Sequence, residues 1–121
     1  MKTTKTLGLW VLQIPVAVLI LAAGWGKLTG SPMHVELFAA IGVGQWFRYL
    51  TGALEITGAL LLFVPSLALV GALTIATVMV GAVATHLFVI GGSPLVPLLL
   101  FAGSITIAWI RRGRILSVAH A

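Results

Sequence analysis

The sequence predicts an all-α integral membrane protein, and three observations support this fold class. Of its 121 residues, 60% are hydrophobic and only 7% are charged, whereas about 25% of the residues in a soluble domain carry a charge. The mean hydropathy is +1.20. The apolar residues form long runs that are separated by short turns rich in Gly, Pro and Ser. These features predict one membrane domain, residues 1–121, folded as an antiparallel four-helix bundle.

Four apolar runs are long enough to cross a bilayer core, which takes about 20 residues of helix. The first run could be mistaken for a secretory signal, because Lys2 and Lys5 precede it. Further apolar runs follow it, so we expect it to remain as a membrane span. The later runs are joined by short turns, which should place neighbouring spans antiparallel. The predicted spans are, approximately, residues 7–28, 47–64, 67–90 and 94–110.

The first and third spans contain residues that should affect helix geometry and packing. In the first span, Pro15 should bend the helix and free a backbone carbonyl, which Gln13 or a neighbour would bond. In the third span, small and hydroxyl-bearing residues recur at steps of three and four. Such a stripe usually marks close packing between membrane helices. The stripe consists of Gly71, Thr74, Thr77, Gly81 and Thr85.

The segment between the first two spans predicts a short amphipathic helix, residues 32–41, that lies at the membrane surface. Ser31 followed by Pro32 is a favourable helix start, with Ser as the N-cap and Pro at the first helical position. We expect this helix to cap the mouth of the bundle, with His34 and Glu36 off its apolar face. The apolar face is formed by Met33, Leu37, Phe38 and Ile41.

The distribution of charge predicts the partners and the orientation of the chain. The net charge is +5, but five of the seven basic residues flank the first and last spans and form no patch interleaved with aromatic residues. We therefore expect a lipid bilayer and no nucleic acid as the partner. The positive-inside rule then places both termini in the cytoplasm. The sequence has no cysteine, which excludes disulfide exchange, thiolate catalysis and cysteine-ligated metal sites.

The second span carries the most unusual residue, Glu55, which is one of only two acidic residues in the sequence. A carboxylate in hydrocarbon is costly unless it is paired, neutralised or hydrated. The predicted topology places Lys27, Arg48 and His86 in the same outer half of the bilayer. Arg48 lies seven residues from Glu55, roughly 10 Å along a helix, and would have to stretch away from water. We therefore expect a contact of Glu55 with Lys27 or with His86, and assign Arg48 a secondary role.

Two interpretations of these groups stay open. In one, Glu55 is part of a buried pair that fixes helix order. In the other, Glu55, Lys27 and His86 are the catalytic candidates of a polar pocket, since ionisable residues inside a membrane are usually functional. The candidate ligand contacts of that pocket are Arg48, His34, Glu36, Gln45 and Thr85. No metal site is predicted, because the His and Glu residues lack the spacing of metal ligands.

Four stretches follow one another in the sequence: AAGWGKL at 22–28, FAAIG at 38–42, LTGALEITGAL at 50–60, and GAVATH at 81–86 before a last helix that contains proline. In this order they resemble the DoxX-like family of small bacterial membrane proteins. The resemblance implies a four-helix protein of the cell inner membrane. It also implies that Gly24 and Lys27, Glu55 and His86 correspond to a Gly-x-x-Lys motif, a membrane Glu and a third-helix His of that family.

The resemblance further implies a connection with quinones. Some relatives are subunits of thiosulfate:quinone oxidoreductase, and others belong to membrane oxidoreductase complexes or are linked to quinone and catechol resistance. If this chain is an enzyme, we expect a quinone-linked oxidoreductase subunit, with quinone as the possible cofactor and electrons from a partner. It would be a homo-oligomer or a subunit of a larger complex. The alternatives are a non-catalytic scaffold or assembly subunit and, less favoured, a small transporter.

Overall fold

Helices account for nearly the whole chain. The computed structural model describes the backbone of residues 2–120 and the side chains of residues 7–112. Five α-helices lie in this described part, together with a short 3-10 turn at Pro65–Leu67 and a π-helical turn at His86–Ile90, and it contains no strand. The predicted all-α class is therefore confirmed. The helices are α1 (Lys2–Thr29), α2 (Pro32–Ile41), α3 (Trp46–Leu62), α4 (Ala68–Thr85) and α5 (Leu95–His120).

The four longer helices form a closed antiparallel bundle. Helix α1 packs against α3 and α5, and α4 packs against α3 and α5. Gln13, near the start of α1, is hydrogen-bonded both to the end of α3 at Leu62 and to α5 at Arg111. One end of the bundle therefore holds the start of α1 and the end of α3, as expected of helices joined by short loops.

Glycines set the closest approaches between helices. A Cβ atom at Gly24 of α1 would lie 3.0 Å from the carbonyl oxygen of Gly52 in α3, and the reverse distance is also 3.0 Å. A Cβ at Gly71 of α4 would lie 2.6 Å from the carbonyl oxygen of Gly58 in α3. Only residues without a side chain allow backbones to approach this closely. Helix α3 is thus held between α1 and α4 by backbone contacts on two sides.

The core lies in the half of the bundle that contains Gln13. Each of the four longer helices contributes one large aliphatic side chain that is fully buried in it, namely Ile20, Leu62, Ile75 and Ile107. Between apolar helices in lipid, such side chains stabilise through van der Waals contact more than through removal from water. The far half of the bundle is less completely filled, and α2 closes it.

Helix α2 lies across the end of the bundle opposite to Gln13. We call this the cavity end, because a cavity lies beneath α2 there. Phe38 is its buried residue, and its ring packs edge-on against Phe47 of α3 with 5.7 Å between ring centroids. Gly42 ends the helix in the left-handed conformation, with φ of +86°, and donates its N–H to the carbonyl of Phe38. Pro32 opens the helix as predicted, but the Ser31 hydroxyl makes no capping bond.

The outside of the bundle is apolar, as a lipid bilayer requires. Val11 on α1 is 74% exposed and Phe88 in the π-helical turn is 83% exposed. Three segments of the described chain are long and apolar enough to cross a membrane: Leu7–Thr29, Pro65–Ile90 and Leu95–Arg112. Helix α3 has 17 residues, roughly 25 Å, which is the lower limit for a spanning helix. The path of α3 across the bilayer stays a prediction.

Two expectations from the sequence need correction. The stripe on α4 packs closely only at Gly71 and Thr74, which meet Gly58. Thr77 is exposed, and a Cβ at Gly81 would meet nothing within 4 Å, because the stripe turns away from α3 along the helix. In α1, the helix continues through Pro15, and the Gln13 side chain bonds α3 and α5 rather than its own backbone.

Candidate functional site

A cavity of about 440 Å³ occupies the cavity end of the bundle. Every α-helix contributes to its wall, and α2 forms its cover. Most of the lining is apolar, including Ile20, Phe38 and Met79. The polar or ionisable lining side chains are Lys27, His34, Thr51, Glu55, Thr85, His86 and Ser93. An apolar space of this size with a few polar groups on its wall is typical of a small-molecule site.

Lys27 and Glu55 form an ion pair on the cavity wall. The ammonium nitrogen of Lys27 lies 2.8 Å from Oε1 of Glu55, and both side chains are largely buried. The pair forms where Gly24 and Gly52 bring α1 and α3 together. Side chains in helices lean toward the helix N-terminus, and because α1 and α3 run in opposite directions, Lys27 and Glu55 lean toward each other. Of the two contacts that the sequence left open for Glu55, the structure contains the one with Lys27.

The contact between the Lys27 ammonium and Oε1 of Glu55 is a close ion pair. An ammonium group carries three N–H donors. One ion pair with Glu55 does not exhaust them, so the Lys27 ammonium can also donate to a polar group of a ligand in the cavity.

Arg48 holds the cover in place from outside the cavity. It is buried, and it donates from Nε to Oε1 of Gln45, at 2.7 Å, and from Nη1 to the backbone carbonyl of Lys27. Gln45 in turn donates from Nε2 to the carbonyl of Val35 in α2, at 3.1 Å. The guanidinium also lies over the ring of Tyr49. This chain of contacts fastens α2 to the ends of α1 and α3, and neither Arg48 nor Gln45 lines the cavity.

His34 belongs to the cavity side of α2. The sequence pattern predicts it off the apolar face, but the structure places it on the cavity wall, three and seven residues from Leu37 and Ile41, which also line it. That prediction is wrong. The imidazole packs against Gly26, and its Nδ1 is buried without a hydrogen-bond partner. Burial, helped by the positive charges of Lys27 and Arg48, lowers the pKa of His34 below its ordinary value.

His86 and Thr85 line the cavity at the junction of α4 and the π-helical turn. The His86 ring nitrogen Nδ1 lies 3.0 Å from the carbonyl oxygen of Gly91. Thr85 donates its hydroxyl to the carbonyl of Gly81, at 2.7 Å. Single π-helical turns often occur at functional sites, and this one brings His86 to the cavity wall.

A sequence profile of the DoxX-like family matches residues 11–110. The chain belongs to the DoxX-like family. The match covers all of the residues that form the cavity wall. Searches of curated proteins and of solved structures each returned no match.

Among the residues singled out in this DoxX-like sequence, the structure brings Lys27, Glu55, His34, Thr85 and His86 to one cavity. Glu36 is exposed on α2 and does not line the cavity. Within the described part of the chain, no three His or acidic side chains lie close enough to hold a metal ion.

Sequence reasoning missed the cross-helix bonding at the other end of this DoxX-like bundle. Gln13 is fully buried; it donates to the carbonyl of Leu62, at 2.5 Å, and accepts from Nε of Arg111, at 3.0 Å. The Arg111 guanidinium also lies over the ring of Trp10. A glutamine in an apolar span near a basic helix end could have suggested this, because buried amides bond across helices in membranes.

Proposed function

We propose that this DoxX-like protein is a bacterial inner-membrane subunit that binds a quinone-class ligand in the cavity beneath α2. The ligand head group lies against the Lys27–Glu55 pair, and its apolar tail extends along the aliphatic wall. One observation supports the proposal: the buried ion pair of the described bundle lies on the wall of a cavity whose lining is mostly apolar. A pair that only fixed helix order would have no need of such a cavity.

The chemistry of the walls fits this ligand class. A cavity of about 440 Å³ accommodates a substituted six-membered ring and the first part of its tail, since ligand sites usually measure about 300–1,000 Å³. The Lys27 ammonium supplies donors for an oxygen of the ring. The Glu55 carboxylate beside it is placed to exchange a proton with that oxygen. We assign binding and proton exchange to this chain, and electron supply to a partner subunit.

The membrane arrangement belongs to the same proposal. All four longer helices, including α3, span the bilayer, and both termini lie in the cytoplasm. The basic residues beside α1 and α5 support this orientation through the positive-inside rule. The cavity end then faces the outer side of the membrane. A ligand that dissolves in the lipid can reach it without crossing the cytoplasm.

A thermal-shift experiment tests the proposal. The purified protein in mild detergent is heated with and without a benzoquinone that carries a ten-carbon tail. We expect the ligand to raise the unfolding temperature of the wild type. At a ligand concentration 100 times the dissociation constant, binding stabilises the folded state by about 2.7 kcal/mol. Glu55→Gln should remove most of this shift, because the amide cannot keep the Lys27 ammonium in place.

Glu36→Gln is the matched control. It also removes one of the two acidic residues, but Glu36 is exposed and lies outside the cavity wall. The shift should therefore survive in this variant. If the benzoquinone fails to shift the wild type, or if both variants behave alike, the cavity is not a quinone-class site.

A second candidate function is a scaffold within a larger membrane complex. The exposed part of the α4 stripe, at Thr77 and Gly81, favours it, because small residues on an outer helix face allow another helix to approach closely. A complex recovered intact by pull-down with Glu55→Gln, in the absence of any ligand shift, would favour this function. The polar lining of the cavity lies at one end of the bundle only, which disfavours a transport path.

A further inference from the structure

The hydrogen bond of His86 determines which nitrogen of its ring carries the proton. Nδ1 lies 3.0 Å from the carbonyl oxygen of Gly91. A carbonyl oxygen can only accept a hydrogen bond, so Nδ1 must be the donor. In the neutral imidazole the proton is then on Nδ1, and Nε2 is an acceptor with a lone pair. The turn therefore selects the tautomer of His86.

The carbonyl group that accepts this hydrogen bond belongs to the turn after α4. His86 begins the π-helical turn His86–Ile90, and its partner is the residue that follows this turn. Gly91 and Gly92 both have positive φ, of +75° and +78°, which side chains other than glycine rarely allow. The carbonyl is thus held in place by a backbone conformation that two consecutive glycines permit.

We propose that the ligand of this cavity presents a hydroxyl group, and that Nε2 of His86 accepts its proton in a hydrogen bond. This inference rests on the proposed function and names the form of the ligand: the hydroquinone form binds more tightly than the quinone. His86 is the specificity-determining residue. It donates nothing to the ligand in its neutral form, since its one N–H is bonded to Gly91.

The two polar walls of the cavity complement a hydroxylated ring. The Lys27 ammonium, beside Glu55, donates to an oxygen atom, and both quinone carbonyls and hydroquinone hydroxyls have oxygen lone pairs. The His86 wall accepts, and only the hydroquinone has an O–H to offer. With a quinone in the cavity, Nε2 would be left without a donor. A single neutral hydrogen bond, about 0.5–1.5 kcal/mol net, corresponds to a preference of about 2- to 12-fold.

Calorimetric titration of the full-length protein in detergent tests this inference. The probes are the same tailed benzoquinone, its reduced form kept under anaerobic conditions, and the dimethyl ether of the reduced form. The ether keeps both oxygen atoms but has no O–H. We expect the wild type to bind the reduced form about fivefold more tightly than the quinone, as one hydrogen bond implies, and to bind the ether no better than the quinone.

His86→Asn is the informative variant. The side-chain amide N–H of asparagine can replace Nδ1–H at the Gly91 carbonyl, but asparagine has no atom in the position of Nε2. The preference for the reduced form should fall to about onefold. Thr77→Val is the control, because Thr77 is exposed on the same helix and lies outside the cavity wall; its preference should equal that of the wild type.

The outcomes separate this inference from the proposed function. If both redox forms bind the wild type equally and Glu55→Gln weakens both, the cavity binds quinone-class ligands but His86 does not select the hydroxyl. If the ether binds as tightly as the hydroquinone, or if His86→Asn keeps the preference, the inference is wrong. If neither form binds the wild type, the proposed function fails and this inference fails with it. If His86→Asn does not fold, the ether comparison still overturns the inference when the ether binds as tightly as the hydroquinone.

Discussion

A charged side chain in a membrane helix is stable in few environments, and one of them is a contact with an opposite charge. Glu55 has such a contact. The carboxylate lies at the cavity wall and is paired with Lys27 at 2.8 Å. Breaking a buried pair by removing one partner leaves an uncompensated charge and costs about 3–5 kcal/mol. The same residue can therefore be required for stability and be placed for ligand binding. For this reason the ligand effect is measured within each variant, as the difference between its unfolding temperatures with and without the benzoquinone.

His34 predicts a pH dependence of the α2 cover. Burial, Lys27 and Arg48 lower the pKa of His34 from its ordinary value of 6.5, so the unfolded state takes up a proton before the folded state does. Folding is then favoured above that ordinary value, and the contribution is lost as the pH falls through it. We expect the unfolding temperature to drop between about pH 8 and about pH 5, where His34 takes up its proton in the unfolded state.

The His34→Gln variant isolates this effect. It keeps a polar side chain at the cavity wall but does not titrate, so the drop in unfolding temperature should be smaller than in the wild type. Hydrogen exchange of the α2 amides should rise at low pH in the wild type and change less in the variant. An equal pH response in both proteins would show that the protonation of His34 does not loosen the cover.

At the scale of elements, α3 is the helix on which the others depend. It contacts α1 at Gly52 and α4 at Gly58, each through a backbone carbonyl, and it carries Glu55 and Arg48. A helix held on both sides at backbone distance cannot shift along its axis without a steric clash. The positions of Lys27 and Glu55 relative to each other are therefore fixed by glycines, one turn away from the ion pair itself.

The crossing of α3 and α4 predicts opposite results for two glycine substitutions in α4. Gly71→Ala places a Cβ at 2.6 Å from the Gly58 carbonyl, which forces the helices apart and should cost about 1–3 kcal/mol. Gly81→Ala meets nothing within 4 Å, and alanine favours helix by up to about 1 kcal/mol over glycine. Unfolding in detergent should therefore be easier for the first variant and unchanged or harder for the second.

This pair of substitutions tests the packing and not the helix propensity of glycine. Both residues lie in α4 and both become alanine, so the propensity term is shared. A Gly71→Ala protein as stable as Gly81→Ala would mean that α3 and α4 are not in backbone contact at Gly58.

The whole molecule has two unlike ends. One end is closed by Gln13, which joins α1 to the last turn of α3 and to α5. The other end contains the cavity and is covered by a separate helix, which Arg48 and Gln45 fasten in place. The helices are hydrogen-bonded to one another at the end that contains Gln13, and the cavity between them lies at the other end. The cavity therefore lies at one end of the bundle, beneath α2.

The absence of cysteine from the sequence makes the membrane orientation directly testable. Single substitutions Ser31→Cys and Ser93→Cys place a thiol in the loops of the cavity end, and Ser66→Cys places one in the turn at the other end. A membrane-impermeant maleimide should label the first two in intact spheroplasts and label the third only after lysis. This pattern requires α3 to span the bilayer with both termini in the cytoplasm.

The reverse labelling pattern would invert the proposed orientation and turn the cavity end toward the cytoplasm. Labelling of all three positions from one side would mean that α3 lies in the membrane without crossing it. Wild-type protein, which has no thiol, is the background control.

The sequence by itself determined the class of fold and the residue around which the site forms. Apolar runs of helical length require a membrane bundle, because backbone groups in lipid must bond within their own helix. An isolated carboxylate in such a run requires a partner, which is why composition and topology predicted a contact of Glu55 with Lys27 or with His86. The structure contains the contact with Lys27. Both conclusions follow from the free-energy cost of placing polar groups in hydrocarbon, and the sequence shows which residues would bear that cost.

The tertiary structure alone decided how these groups face each other. Helical rotation placed His34 on the cavity wall, and it placed two of the five stripe residues of α4, Thr77 and Gly81, on the outside. A shift of one residue turns a side chain by about 100° around the helix, and a surface helix with mixed residues does not specify that rotation. The same holds for Gln13, which bonds residues 49 and 98 positions away, and for the tautomer of His86, which a backbone carbonyl selects. Such contacts depend on the distances between helices. Those distances are fixed by the close contacts between the glycines of α1, α3 and α4.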